Sequence, residues 1–269
     1  MEYKNIKQEL IILYEKFNNK NIFEIDYFLS YFLNKTNLEV KFYNFSEKEY
    51  KKLKKIILKH LKTNMPIQKI YKKAYFYKRE FFVNNHVLTP RFDSEVLIEY
   101  ILNKSFKNVL DLCAGSGCLG ITIKKEKPEI NLSLADISNK ALRVCKKNCI
   151  KHNVDFKLIK TNMFENIKDK YDLIICNPPY IETENIEKLN IEVKNFDPII
   201  SLDGGQDGLK FYNIIFENID KYLSDNGKCI IEIGYNQGHL IEKFKTKFKN
   251  VKKIVDYNNL DRAIYFEKE

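Results

Sequence analysis

The stretch NVLDLCAGSGCLG, residues 108–120, decides the fold of this chain. It begins with an apolar run of strand length and continues into a turn with glycines at positions 115, 117 and 120, ahead of a helical pattern. Glycines let the backbone turn sharply and approach a ligand, and a helix N-terminus then faces that ligand. The stretch therefore predicts a strand, a ligand-binding turn and a helix in immediate succession.

After this stretch, apolar runs of strand length alternate with helical patterns. The runs are LSLADI (132–137), FKLIK (156–160), YDLIICN (171–177) and GKCIIEIGY (227–235). Such alternation predicts parallel strands in one sheet with helices on both faces. Two last runs, VKKIVDY (251–257) and RAIYFEK (262–268), predict a closing antiparallel pair. We therefore predict an α/β fold with a seven-stranded, mostly parallel Rossmann-like sheet, and ligands outside the carboxyl ends of its strands.

The N-terminal part has a different pattern. Apolar positions such as Ile6, Leu10 and Leu13 recur at intervals of three and four, and Ser46 is placed to cap a further helix. Two aromatic and β-branched runs then predict a short hairpin. The predicted domains are a small helical domain at residues 1–66, a linking β-hairpin at 67–90 and a larger α/β domain at 91–269.

The composition is that of a folded protein without a membrane span. The chain has 269 residues, 44% of them hydrophobic, which is enough to bury a substantial core. Polar residues interrupt every apolar run before the roughly 18 residues that a bilayer span needs, so we expect a cytoplasmic protein. The six cysteines form no C-x-x-C pair and the four histidines are scattered, so we expect reduced cysteines and no metal site.

Most of the net charge of +10 lies in the N-terminal third of the chain. Between Lys48 and Arg79 there are 12 basic residues and a single acid, Glu49. This density would attract phosphate-rich partners such as RNA. A solvated helix face in a lysine-rich chain explains the same pattern, so both interpretations stay open.

The glycine turn fits two kinds of cofactor. Its three glycines match G-x-G-x-x-G, and Asp136 ends the next strand, where a carboxylate can accept hydrogen bonds from ribose hydroxyls. However, Asp111 stands just before the turn, placed to meet a cation instead of a pyrophosphate. S-adenosylmethionine carries an ammonium and a sulfonium and no phosphate, so these residues favour it over a nicotinamide cofactor. A turn without a ligand, and Asp136 as a helix cap ahead of Ser138, remain alternatives.

The tetrapeptide Asn177-Pro178-Pro179-Tyr180 follows the buried run YDLIIC directly. Two prolines end the strand with a stiff backbone, which would fix the Asn177 side-chain oxygen and the Pro178 carbonyl as two acceptors. Such a pair suits a planar NH₂ group, as in an amide or an exocyclic base amine. Tyr180 would stack on that group and exclude water. The alternative is a proline-rich exit turn without a function.

With these motifs, the chain resembles the HemK/PrmC family of protein-(glutamine-N5) methyltransferases. Members of this family modify the glutamine of the Gly-Gly-Gln loop in peptide chain release factors. The likeness covers roughly residues 65–269. Its markers are VLTPR (87–91), LDLCAGSGCLGI (110–121), NPPYI (177–181) and NFDPIISLDGGQDGLKFY (195–212).

The resemblance implies S-adenosylmethionine as the cofactor and gives the site residues their roles. The implied cofactor contacts are Cys113, Ala114, Gly115, Ser116 and Gly117 in the turn and Asp136 at the ribose. Asn177 would hold the substrate amide, and Pro178, Pro179 and Tyr180 would complete its pocket. Near the adenine the family usually has an acid and a bulky residue, where this chain has Asn162 and Met163.

The resemblance also implies a partner, because the family's helical N-terminal domain helps to receive the release factor. Three other functions stay open. They are methylation of a ribosomal-protein glutamine, methylation of adenine N6 in RNA or DNA, and binding of RNA or the ribosome by a module with a vestigial cofactor pocket. Contact with ribosomal RNA through the basic N-terminal third is a further expectation, and no contact with a membrane is expected.

Overall fold

The computed structural model describes residues 1–269, and the chain divides into two compact units. The first comprises residues 1–72 together with 191–196, and the second comprises residues 73–190 and 197–269. No helix combines the length and the apolar character that crossing a lipid bilayer requires.

The first unit, here called the helical unit, begins with five helices. They are α1 (Tyr3–Lys16), α2 (Glu24–Leu33), α3 (Asn37–Lys41), α4 (Glu47–Thr63) and α5 (Ile67–Tyr71). The apolar positions predicted to face inward, such as Ile6 and Leu10, are fully buried against residues of α4 such as Ile57. Ser46 caps α4 as predicted, because its side chain accepts a hydrogen bond from the Glu49 backbone N–H while the Glu49 carboxylate accepts one from the Ser46 N–H.

The second unit, here called the sheet unit, opens with the predicted hairpin. Strands β1 (Lys73–Phe76) and β2 (Arg79–Phe82) pair antiparallel. The turn residues Tyr77 and Lys78 have positive φ angles of 46° and 62°. Two-residue hairpin turns of this kind follow the right-handed twist of the strands. The hairpin is therefore tight, and it occupies only the middle of the 67–90 segment that the sequence assigned to it.

The main sheet has seven strands, as predicted. They are β3 (Asn108–Leu112), β4 (Asn131–Asp136), β5 (Lys157–Lys160), β6 (Tyr171–Cys176), β7 (Leu223–Glu232), β8 (Lys249–Val255) and β9 (Asp261–Glu267). Their order across the sheet is β5-β4-β3-β6-β7-β9-β8. The first five in this order pair parallel, and β9 pairs antiparallel with β7 and β8. The closing pair predicted around Asn258 and Asn259 is confirmed.

Helices cover both faces of this sheet. The helices of the sheet unit are α6 (Glu95–Leu102), α7 (Cys118–Glu126), α8 (Asn139–Lys151), α10 (Lys210–Asn218) and α11 (Leu240–Lys245), whereas α9 (Ile191–Phe196) belongs to the helical unit. Alternate strand residues enter different core clusters: Val109 packs with residues of α6, α7 and α8, and its neighbour Leu110 packs with residues of α10 and α11. This alternation is the period of a strand that is buried on both faces.

The sheet order places the two sequence motifs side by side. After β3 the chain adds β4 and β5 on one side of the sheet, and β6 then pairs with the other side of β3. Such a switch point leaves a crevice at the carboxyl ends of the strands. The register pairs Leu112 with Cys176, the last residues of β3 and β6. The glycine turn and the N-P-P-Y segment therefore leave the sheet from neighbouring positions.

Candidate active site

A cavity of about 370 Å³ lies at this carboxyl edge of the sheet. Nine of the predicted site residues line it: Cys113, Ala114, Gly115, Ser116, Asp136, Asn162, Met163, Asn177 and Pro179. Four others, Asp111, Gly117, Pro178 and Tyr180, are not among the lining residues. The structure therefore brings the glycine turn and the asparagine of N-P-P-Y to one cavity.

The turn after β3 depends on residues that accept a left-handed backbone. Cys113, Gly115 and Gly117 have φ angles of 62°, 54° and 79°. A Cβ at Gly117 would also lie 2.7 Å from the Cys145 sulfur. Position 120 is a glycine because α7 packs closely on the sheet there. A Cβ at Gly120 would lie 2.9 Å from Asp111 Cβ. Three of the glycines thus have separate physical roles, in turning the chain and in packing the helix.

Asp111 lies beneath the turn, with 1% of its surface exposed. Its Oδ2 accepts a hydrogen bond of 2.8 Å from the Gly120 N–H, and its Oδ1 is buried without a hydrogen-bond partner. Burial raises the pKa of Asp111 to about 7, and the charge of Asp136 adds to that rise. Its carboxylate thus fixes the first turn of α7, and the expected contact of Asp111 with a cation, which would come through Oδ1, stays a prediction.

Asp136, the last residue of β4, is held by two backbone groups. Its Oδ2 accepts from the Gly115 N–H at 2.9 Å and its Oδ1 from the Ser138 N–H at 2.8 Å. Burial raises the pKa of this carboxyl, and the hydrogen bonds oppose that rise. Each oxygen keeps a second lone pair, so Asp136 can still accept hydrogen bonds from hydroxyl groups in the cavity. Ser138, not Asp136, is the N-cap of α8 through its bond with the Ala141 N–H.

Asn162 and Met163 line the cavity after β5. The amide nitrogen of Asn162 donates to Glu165 at 2.7 Å, which leaves its carbonyl oxygen as an acceptor. Met163 is buried, has a positive φ of 47° and lies with its sulfur 3.9 Å from the Cys113 sulfur. The two residues offer one polar acceptor and one apolar surface.

The sequence analysis did not identify Glu232, which lies beside Asn177. Parallel pairing of Cys176 with Ile231 places Asn177 and Glu232 next to each other at the ends of β6 and β7. Glu232 is 2% exposed and accepts hydrogen bonds from the hydroxyls of Ser94 (2.5 Å) and Tyr180 (3.3 Å). The Asn177 side chain also lies near this carboxylate and lowers its pKa. Burial raises the pKa of Glu232, and these bonds and the charge of Arg262 offset part of the rise.

The neighbouring Glu232 favours one orientation of the Asn177 carboxamide. An ionised carboxylate can only accept, so we expect the Asn177 Nδ2 to face Glu232. The Asn177 Oδ1 is then the atom available to a ligand. A carboxylate at the end of an apolar strand was the signal for this role, since the run KCIIEIG is otherwise apolar or small after its lysine.

Tyr180 and Pro178 do not line the cavity. The Tyr180 hydroxyl donates to Glu232, and its backbone oxygen accepts from Gln237 at 3.1 Å. Burial raises the pKa of Tyr180 well above its ordinary value. Pro178 is buried. Stacking of Tyr180 on a substrate therefore stays a prediction, whereas its bond to Glu232 helps to fix the position of Asn177.

Two of the segments that carry the resemblance meet around Asp197, which is 6% exposed. Its Oδ1 accepts from the Thr89 backbone N–H and hydroxyl, each at 3.1 Å, and its Oδ2 accepts from the Arg91 guanidinium at 2.9 Å. Thr89, Arg91 and the following Pro198 line the cavity. The markers VLTPR and NFDP thus form one wall of the site, a role that sequence reasoning had not given them.

The sheet order and this cavity define a Rossmann-like methyltransferase. Two solved structures share the fold: the catalytic domain of hMettl16 (TM-score 0.55, 15% identity, 83% of this chain and 82% of that one) and a methyltransferase from Pyrococcus furiosus (TM-score 0.52, 14%, 83% and 99%). The family described as Methyltransferase small domain matches residues 90–260. A release factor glutamine methyltransferase of Thermodesulfovibrio yellowstonii is 34% identical over 226 residues, covering 80% of this chain and 81% of that protein. The chain belongs to the release factor glutamine methyltransferase family.

Other relatives are longer proteins. A bifunctional methyltransferase of Rickettsia bellii is 39% identical over 228 residues, which are 72% of this chain but 41% of the relative. The chain thus spans less than half the length of this bifunctional relative.

Proposed function

We propose that this protein transfers a methyl group from S-adenosylmethionine to the side-chain amide nitrogen of the glutamine in a Gly-Gly-Gln motif of a peptide chain release factor. The observation that carries the proposal is the Asn177 carboxamide, which lines the cavity beside the buried carboxylate of Glu232. The names of the relatives in Thermodesulfovibrio, Streptococcus and Mycoplasma support the substrate class.

The residues around the glycine turn fit this cofactor. S-adenosylmethionine, when bound, supplies a methyl group on a positively charged sulfur. Asp136 would accept hydrogen bonds from the ribose hydroxyls through the free lone pairs of its two oxygens, and Asn162 and Met163 would contact the adenine. The buried Oδ1 of Asp111, which has no hydrogen-bond partner, suits a cofactor with cationic groups and no phosphate.

Asn177 and Pro178 would hold the acceptor amide. The side-chain amide of the substrate glutamine has two N–H groups, and each needs one acceptor. The two acceptors are the Asn177 Oδ1 and the Pro178 carbonyl oxygen. Glu232 would keep the Asn177 amide group turned away from the substrate, because only that group can donate to a carboxylate. The two prolines stiffen the backbone between these acceptors. The substrate nitrogen is then oriented by groups that do not reorganise during the reaction.

These acceptors bind the transition state more strongly than the substrate. As the amide nitrogen would bond to the methyl carbon, the bond from that carbon to sulfur would break with its electron pair returning to sulfur, while the nitrogen lone pair would leave conjugation and its N–H groups would become more acidic. Their hydrogen bonds to Asn177 and Pro178 therefore strengthen, and one proton finally passes to water. Alignment of the nitrogen with the methyl group supplies most of the acceleration, so no strong base is required.

The release factor would contact the exposed lysines of α4, namely Lys48, Lys51, Lys52 and Lys55. Their positive charge suits an acidic protein surface, and ribosomal RNA is the alternative partner for the same lysines. Exposed charges attract a partner over a Debye length without fixing its orientation. We therefore propose that these lysines attract the release factor and that the cavity selects the glutamine.

A methyl-acceptor assay tests the proposal. The purified protein is incubated with methyl-labelled S-adenosylmethionine and a release factor, and the labelled residue is located by mass spectrometry. The expected label is on the Gly-Gly-Gln glutamine, and a Gln→Ala release factor should stay unlabelled. Labelling of that variant, or of RNA or a ribosomal-protein glutamine in preference to the release factor, would refute the assignment and identify the rival substrate.

A further inference from the structure

The helical unit contains a cluster of three side chains with metal-binding atoms. His60 lies on α4, Glu24 is the first residue of α2, and Glu192 belongs to residues 191–196, which pack within the same unit. One ligand atom from each lies within 4.8 Å of the other two. None of the three lines the catalytic cavity. The cluster therefore needs an explanation other than methyl transfer.

The tautomer of His60 is fixed by its surroundings. The residue is 2% exposed, and its Nδ1 lies 2.9 Å from the Met65 backbone oxygen. A carbonyl oxygen only accepts, so Nδ1 carries the hydrogen and donates it. In the neutral ring, Nε2 then carries the lone pair. Metal-binding histidines show this arrangement, with the second ring nitrogen donating to a backbone carbonyl.

The Nε2 lone pair points into the cluster without a hydrogen-bond partner. Nε2 lies 3.1 Å from the Glu24 Oε2, and both atoms are buried without a hydrogen-bond partner. The other Glu24 oxygen accepts from Asn21. Two electron-rich atoms this close require a positive charge between them. One proton can bridge two of the three groups, whereas a metal ion can bind all three.

We propose that Glu24, His60 and Glu192 bind a divalent transition-metal ion. One imidazole nitrogen and two carboxylate oxygens suit Zn²⁺, Mn²⁺ or Fe²⁺ better than Mg²⁺ or Ca²⁺, which prefer oxygen alone. For bonds of about 2.0 Å in a tetrahedral zinc site, neighbouring ligand atoms lie about 3.3 Å apart. The 3.1 Å between Nε2 and Oε2 is close to that value.

The ion would stabilise the helical unit. It would join α2, α4 and residues 191–196, which are far apart in the sequence, and ligands that converge only in the folded chain make metal binding contribute to folding. The role is structural and does not depend on the proposed function. Added Zn²⁺ should therefore raise the temperature of unfolding of the metal-free protein.

Metal titration of the full-length protein tests the proposal. The chelator-treated protein is titrated with Zn²⁺ by calorimetry and with Co²⁺ by visible absorption. We expect one site, weakened about 100-fold or more in Glu192→Gln and in His60→Gln, since loss of a ligand exceeds loss of an outer-shell partner. His239→Gln, which alters an exposed histidine, is the matched control and should bind as the wild type.

Two further measurements keep the test decisive. The six free cysteines could bind zinc elsewhere, and Co²⁺ distinguishes them because thiolate ligands give intense charge-transfer bands that nitrogen and oxygen ligands lack. If His60→Gln fails to fold, Glu192→Gln decides, because Glu192 is only half-buried. Absence of Zn²⁺ and Co²⁺ binding, or binding that these substitutions leave unchanged, would overturn the proposal and leave a proton between His60 and Glu24.

Discussion

The sheet unit and the helical unit hold their functional polar groups in opposite ways. At the carboxyl edge of the sheet, Asp136 accepts from two backbone N–H groups, and Glu232 accepts from the hydroxyls of Ser94 and Tyr180. On α4 the lysines are exposed, and Lys51 has only the equally exposed Glu47 at 3.7 Å. Groups that align reacting atoms need fixed positions, whereas groups that attract a partner need only their charge. The effects of substitutions in the two units should therefore differ in which kinetic constant changes as well as in magnitude.

The largest effect is expected at the fixed edge, from Asn177→Ala. Loss of the oxygen acceptor should lower kcat by roughly 100- to 1,000-fold, as for other preorganised transition-state contacts. Binding of S-adenosylmethionine, measured by calorimetry, should change little. The control is Asn236→Ala, an exposed asparagine near the end of β7. Equal losses of turnover and cofactor binding would point to misfolding and contradict the assigned role.

A smaller effect is expected from Glu232→Gln, which replaces a pure acceptor by an amide. The Asn177 carboxamide could then turn over, so kcat should fall by about 10- to 100-fold with little change in KM for S-adenosylmethionine. Because Glu232 acts through Asn177, the double variant with Asn177→Ala should be no slower than Asn177→Ala alone. Additive losses in this double-mutant cycle would show that Glu232 acts independently.

Burial of a carboxyl group at a fixed position also lowers the free energy of unfolding, and Asp111 should show this effect. Its pKa of about 7 stands above the ordinary value of 3.8. Between these values the unfolded chain releases the proton that the folded protein keeps, so the free energy of unfolding should fall as pH rises from about 4 to about 7. Urea unfolding at several pH values should show a shallower fall for Asp111→Asn than for the wild type. The exposed Asp207→Asn is the control, and equal slopes in all three proteins would contradict the buried charge.

The smallest effect is expected on the helical unit, from Lys48→Glu combined with Lys55→Glu. We expect KM for the release factor to rise by about 3- to 10-fold at low salt with kcat unchanged, and the difference to shrink as salt is added. The exposed pair Lys146→Glu and Lys168→Glu changes the net charge equally and serves as the control. A loss of kcat from the α4 pair would mean that these lysines do more than attract a partner.

The order of elements in the sheet unit could be predicted from the sequence. Apolar runs such as YDLIIC are long enough to be strands and too short for helices, and glycines or prolines end them at the carboxyl edge. Boundaries were less certain. The helical pattern in the sequence runs from Leu209 to Leu223, but α10 ends at Asn218, because a short 3-10 turn follows it and β7 already begins at Leu223.

Contacts between distant segments could not be predicted. Residues 191–196 belong to the helical unit, although they follow N-P-P-Y in the chain, and no local pattern encodes that association. Asp111 illustrates the same limit, since strand alternation places a side chain on one face but does not say that a glycine N–H will bind it there. Glu232 could not be identified from the sequence, because its role depends on Asn177, which follows a neighbouring strand.

The pairing of Leu112 with Cys176 has a consequence for redesign. Neighbouring strands lie about 4.8 Å apart, and this spacing cannot be tuned continuously. Backbone hydrogen bonds thus set the points at which the glycine turn and the N-P-P-Y segment leave the sheet, independently of the side chains. An enzyme of this architecture could accept a bulkier nucleophile only by remodelling the connections beyond the strand tips, never by spreading the strands themselves.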